Sequence, residues 1–164
     1  DKGDKIILSP GSCVPRMGHL KIDGVDYHLR GSLVVDEAGA AAAAEAFLNA
    51  PYLWGGRSIW GVDCSGLVQA VGKMLQTPMP RDAYQQAECG NLQMWDQRKS
   101  GHLAYFANAE GKVTHVGILM DENHIIHAYG KVRIDVLTAQ GIVNAQTGLL
   151  THKLFGIRTW SQNQ

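Results

Sequence analysis

The apolar residues of this chain change period near residue 100, and that change limits the folds open to it. Two helical stretches precede it. "DEAGAAAAAEAFLNAPY" offers Asp36 as an N-terminal cap, a run of alanines that favours helix, and Pro51 as a stop. Residues 64–75 carry Cys64, Leu67, Val68, Val71, Met74 and Leu75 on one face of a 3.6-residue period. Beyond the change, "HLAYFAN", "KVTHVGILM", "HIIHAYG", "VRIDVL" and "KLFGIRTW" are strand-length and rich in β-branched and aromatic residues, with "NAEG" and "DEN" as turn signals. Helices first and consecutive strands afterwards predict an α+β fold with an antiparallel sheet, rather than a βαβ sheet. Residues 82–98 read as short helix or turn.

Composition excludes several classes of function. With 164 residues, 45% apolar and 18% charged, the chain suits one domain with a real core. Fifteen basic residues balance fifteen acidic ones, so there is no electrostatic footprint for nucleic acid or an anionic membrane. No apolar run approaches the roughly 20 residues of a membrane span. "DKGDKIILSPG" is too short in its apolar part for a signal peptide, and the absence of an initial Met allows for a leader already removed. Cys13, Cys64 and Cys89 do not make a disulfide framework, and no CxxC or HExxH spacing is present. No metal or cofactor is expected, and a monomer is. Residues 1–31 are short β-like pieces broken by Pro and Gly, with too little apolar material for a core of their own.

Cys64 stands where a loop becomes a helix. A helix N-terminus favours a thiolate through its free N–H groups and dipole, and an imidazole nearby would complete the activation. Taken alone, a buried inert thiol is the commoner case. Asp63 is a difficulty, since its charge raises the thiol pKa unless it is turned elsewhere. Two of the seven histidines, His115 and His127, interrupt otherwise apolar strands. If "DEN" is a three-residue loop pairing Met120 with His124, His127 falls opposite Gly117, and His115 shares that face. A two-residue loop would separate the histidines. On the first register, a helix packed on this face would bring nucleophile, base and orienting residue together.

At this point the sequence resembles the NlpC/P60 cysteine peptidases of bacterial cell-wall metabolism. The match runs from about Tyr52 to Leu137: "YLWGG", "GVDCSGLVQ", "PRDAYQQ", "THVGI", "IIHA" and "VRIDVL" occur in the family's order. The resemblance implies a papain-like α+β fold, with Cys64 as nucleophile, His115 as general base and acid, and His127 as orienting residue. It is similar to the subgroup that cuts between D-glutamate and the diamino acid of peptidoglycan stem peptides. That likeness implies Tyr52 at the active site, and Asp63 and Ser65 as holders of the free amine of a terminal L-alanine. Core packing for Tyr52 and a helix-capping hydroxyl for Ser65 stay open. Residues 1–31 resemble the last strands of a bacterial SH3-like domain, with the catalytic domain at 32–164. Where the family reads Gly-Asp-Leu, this chain has "GHL", with His102 at the aspartate position; Cys13, Cys89 and His102 receive no catalytic role.

The implied partner is a muropeptide, with no nucleic acid and no membrane span. The substrate class favours the cell envelope, and a cytoplasmic recycling role is compatible with a reactive thiol. The alternatives are a broader amidase or acyltransferase on the same fold, and a non-catalytic cell-wall binding module. Diaminopimelate and lysine are not distinguished.

Overall fold

In a computed structural model describing residues 5–15, 18–29 and 35–160, a small hairpin leads into three helices and a curved sheet. Strands β1 (His19–Ile22) and β2 (Val25–His28) pair antiparallel, with His19 opposite His28. The expected domain boundary at 31/32 lies outside the described residues. A 3-10 turn at Glu37–Gly39, capped by the Asp36 side chain, opens helix α1 (Ala40–Glu45). This helix is shorter than the sequence pattern predicts. Asn49 takes a left-handed φ of 68°, its N–H bonds to the carbonyl of Val132, and Ala50 accepts from the N–H of Val132. The backbone groups that would extend the helix bond to the sheet instead.

Strands β3 (Arg57–Ser58) and β4 (Gly61–Val62) form a tight pair immediately before helix α2 (Cys64–Met74). The predicted stripe is buried: Leu67, Val68 and Val71 are fully covered. The helix is enclosed on other sides too, by small residues. A Cβ on Gly66 would stand 2.1 Å from the carbonyl oxygen of Gly56, so only glycine permits this approach of loop to helix. Helix α3 (Ala83–Gln86) is the short helix expected between 82 and 98, while strand β5 (Leu92–Gln93) has no counterpart in that expectation.

Strands β6 (Leu103–Ala107), β7 (Val113–Leu119), β8 (His124–Tyr129), β9 (Lys131–Thr138) and β10 (Gly141–Val143) follow as antiparallel neighbours. β11 (Leu150–Arg158) pairs with β6, and β10 pairs with β11, so these six strands close on themselves, with β5 added beside β11. β10 and the closure have no counterpart in the sequence pattern. The three-residue loop is present: Met120 bonds to His124 and Gly117 stands opposite His127.

Alternation along the strands divides the core in two. Leu103, Tyr105, Val116, Ile118 and Ile126 face α1 and α2, while Ala104, Phe106, Leu119, Ile125 and Ile142 fill the inside of the closed sheet. Among the described residues no helix is long and apolar enough to cross a membrane.

Candidate active site

A cleft of about 320 Å³ lies where the start of α2 meets the sheet, lined by Tyr52, Cys64, Thr114, His115, Ala128, Tyr129 and Gly130. Cys64, His115 and Tyr52 thus meet at one opening. The N–H groups of Val116, Ser65 and Cys64 point at the sulfur and favour a thiolate. Burial pushes the thiol up more strongly, and Asp63 adds to that push. His115 is held well below its usual range by burial, and by His127 and His152 beside it. Both directions favour the neutral pair, thiol with uncharged imidazole, over the resting thiolate that a helix N-terminus alone predicts.

His115 Nε2 lies 2.8 Å from His127 Nδ1, and His127 Nε2 lies 3.0 Å from Asp135 Oδ2. Asp135 is buried, accepts from the N–H of Ala145 at 2.9 Å and from Arg133 Nη2 at 2.9 Å, and forms an ion pair with Arg133 Nε at 2.8 Å. Burial raises its carboxyl, but these hydrogen bonds and that from His127 outweigh burial and bring it down to about 2. An ionised carboxylate only accepts, so His127 carries its proton on Nε2. With His127 uncharged, its Nδ1 accepts from His115 Nε2, and the free lone pair of His115 is left on Nδ1. His127 stands opposite Gly117 as the three-residue loop predicts, but α2 packs on the other face of the sheet, against Val116 and Ile118, while His115 lies on the inner face beside Phe106. Asp135 and Arg133 were missed, although Asp135 stands within the quoted "VRIDVL"; the signal was a tight turn at Gly130, which sets Arg133 opposite His127 and Asp135 on the same face.

Asp63 and Ser65 do not present open oxygens to the cleft. Asp63 is the N-cap of α2: its Oδ1 accepts from the N–H of Gly66 at 2.7 Å and its Oδ2 from the N–H of Gly55 at 2.7 Å. Arg81 donates to both oxygens, at 2.5 Å to Oδ2 and 3.3 Å to Oδ1, and Ser65 Oγ accepts from Arg81 at 2.8 Å while donating to Asp63. Burial raises the Asp63 carboxyl, and the bonds from Arg81, Gly66 and Gly55 more than reverse that. The grip of Asp63 and Ser65 on a substrate amine is an expectation of the family resemblance; here Arg81 bonds to both, so an amine would have to share or displace that cation. Gln86, fully buried, donates to the carbonyls of Ser65 and Pro80 and so ties the Arg81 loop to α2.

Of the remaining singled-out residues, His102 is buried with neither ring nitrogen hydrogen-bonded among the described residues, Cys13 is exposed and Cys89 half-buried. His152, for which the sequence offers no signal, stacks on His115 with ring centroids 4.1 Å apart.

The NlpC/P60 family profile matches residues 49–151, more than half of the chain and all of the cleft's lining. The chain belongs to the NlpC/P60 family. A gamma-D-glutamyl-L-lysine dipeptidyl-peptidase of Bacillus subtilis (strain 168) is 42% identical over 96 residues, covering 56% of this chain and 32% of the relative. A probable endopeptidase NlpC of Escherichia coli (strain K12) is 31% identical over 125 residues, covering 75% of this chain and 80% of the relative. The structure of an NlpC/P60 family protein from Bacillus cereus ATCC 10987 superposes with a TM-score of 0.66 at 26% identity, over 84% of this chain and 45% of that one. The chain spans less than half the length of the dipeptidyl-peptidases it matches. The fold is the papain-like α+β fold of the family, as the resemblance implies, and its α+β class with an antiparallel sheet is the one the order of helices and strands predicts.

Proposed function

We propose that this chain is a cysteine peptidase that hydrolyses the γ-D-glutamyl–diamino acid bond of peptidoglycan stem peptides. The observation that carries the reading is Cys64 at the start of α2, sharing a cleft with a histidine whose tautomer is held through His127 by Asp135. Likeness to relatives named for γ-D-glutamyl-L-lysine cleavage favours this bond.

In the proposed mechanism, His115 Nδ1 takes the thiol proton as Cys64 Sγ attacks the γ-carbonyl carbon. The transfer accompanies attack because burial disfavours the separated charges beforehand. The N–H groups of Cys64 and Ser65, beside the sulfur, are the donors available to the oxyanion; losing one such donor typically costs about 10²–10³ in rate. His115 then protonates the leaving amine as the C–N bond breaks. Water, deprotonated by His115, hydrolyses the thioester and restores the thiol. Tyr52 borders the bound peptide, and Asp63 with Arg81 holds the nucleophile's turn.

The test is mass spectrometry of defined stem peptides incubated with the protein and with Cys64→Ala and His115→Ala. Cleavage at the γ-D-glutamyl bond by the parent chain and loss in both variants is expected; full turnover in either variant overturns the assignment. The same peptides acetylated at the L-alanine amine decide the free-amine preference separately, and indifference to acetylation favours a broader amidase. The envelope is the location this substrate favours.

A further inference from the structure

The imidazole of His115 is confined on two sides, and only one of them is the chain of hydrogen bonds to Asp135. On the other, His152 from β11 lies over the ring, centroids 4.1 Å apart and planes inclined by 24°. Tyr129 from β8 meets His152 edge-on at 4.9 Å, and the hydroxyl of Thr151 lies 2.9 Å from its Nδ1. His152 reaches this place because β11 closes the sheet against β10, where His152 stands opposite Ile142. No ring nitrogen of His152 bonds to His115, His127 or Asp135 among the described residues.

We propose that His152 is a positioning residue for His115, an uncharged ring that stacks on the imidazole, fixes its plane and keeps water from that face. A hydrogen-bonded histidine can still pivot about the axis of its one bond; a stacked ring braced by Tyr129 removes that freedom. Proton transfer between Cys64 and a leaving amine needs Nδ1 to keep one direction through both steps. The inference rests on His115 being the base.

The charged and titratable groups facing this stack are Cys64 from α2, His127 and Tyr129 from β8, and Asp135 from β9; β6 presents the uncharged Phe106. Burial, then His127, bring His152 down to about 4 against the opposing pull of Asp135, so it is neutral wherever the enzyme would work. Burial, to which the covering ring contributes, also depresses His115.

The experiment compares His152→Ala and His152→Phe with the parent chain, each checked for fold by circular dichroism and thermal midpoint. Two readouts are taken as functions of pH: kcat and KM on the γ-D-glutamyl peptide, and the rate of carboxymethylation at Cys64, followed by peptide mass so that Cys13 and Cys89 do not contribute. With Ala, kcat falls tenfold or more with KM little changed, and the acidic limb moves to higher pH because His115 is now wetted. With Phe, the stack is restored, and most of kcat and the parent's limb return. An Ala variant with the parent's kcat and limb overturns the proposal. So does a folded Phe variant as impaired as Ala, which would make His152 a hydrogen-bonding group; this arm stands even if Ala does not fold. If the parent chain cleaves no peptide, the reading of function fails, while the carboxymethylation profiles still decide whether His152 governs His115.

Discussion

Nε2 of His127 lies 3.0 Å from Oδ2 of Asp135, and both side chains are shut off from solvent. The carboxylate accepts, so the histidine donates; a His127 holding that one proton accepts at Nδ1, which leaves the lone pair of His115 on its own Nδ1. An aspartate with no hydrogen bond to Cys64 among the described residues thereby sets which nitrogen of His115 is free for the base role proposed for it.

Asp135→Asn reverses that order. The amide keeps Oδ1 toward the N–H of Ala145 and turns its NH₂ to His127 Nε2, which becomes an acceptor. The proton of His127 then sits on Nδ1, and that of His115 on its own Nδ1, where the base is needed. kcat should fall about 10²-fold or more, as for wrong-tautomer variants of other triads. Steady-state kinetics checks this, with an unchanged circular dichroism spectrum excluding unfolding.

Arg81 is the sole cation on Asp63 among the described residues, and its removal strands a buried carboxylate. Breaking a fully buried pair costs about 3–5 kcal/mol. Arg81 is one-third exposed, so water offsets part of that, and Arg81→Met should destabilise by about 2 kcal/mol in urea denaturation. The unpaired charge of Asp63 should also raise the Cys64 thiol, read as slower carboxymethylation at pH 7.

Gly66→Ala should be among the costlier single substitutions. The new methyl would sit 2.1 Å from the Gly56 carbonyl oxygen, which belongs to backbone held by the N-cap network. Forced overpacking typically costs about 1–3 kcal/mol. Here it also pushes the loop away from Cys64, so the thermal midpoint and turnover should fall together.

Stability should decline as pH drops below 6.5. His102 is buried with both ring nitrogens unpaired among the described residues, and burial, aided by Lys99 and opposed by Glu37, holds it below 6.5 in the folded chain. Between its folded and unfolded pKa values the unfolded chain binds the extra proton, so acid favours unfolding and the stability present above 6.5 is lost on descent. His115 and His152 act in the same direction. Each such group contributes at most about 1.4 kcal/mol per pH unit. His102→Leu, which removes the orphaned nitrogens, should lose less stability than the parent between pH 7 and pH 5 in urea denaturation; an equal loss would refute this role for His102.

The sequence by itself determined the order of helices and antiparallel strands and the placement of Cys64 at a helix start, and it named the loop length on which the register of His127 opposite Gly117 depends. Each is a local property: a hydrophobic period, a turn of known length, or a side chain alternating between two faces of a strand. The family motifs brought Tyr52 and His115 to the same cleft by resemblance. Only the tertiary structure decided what surrounds them. Arg81 fills Asp63 and Ser65 from 16 to 18 residues away, because Gln86 pins its loop to α2. Asp135 lies beneath His127 because β9 runs alongside β8, and His152 covers His115 because the sheet closes. Charge pairing and ring stacking across such distances leave no period in the chain. They depend on how far the sheet curves before its edges meet, and that is set by packing on both of its faces.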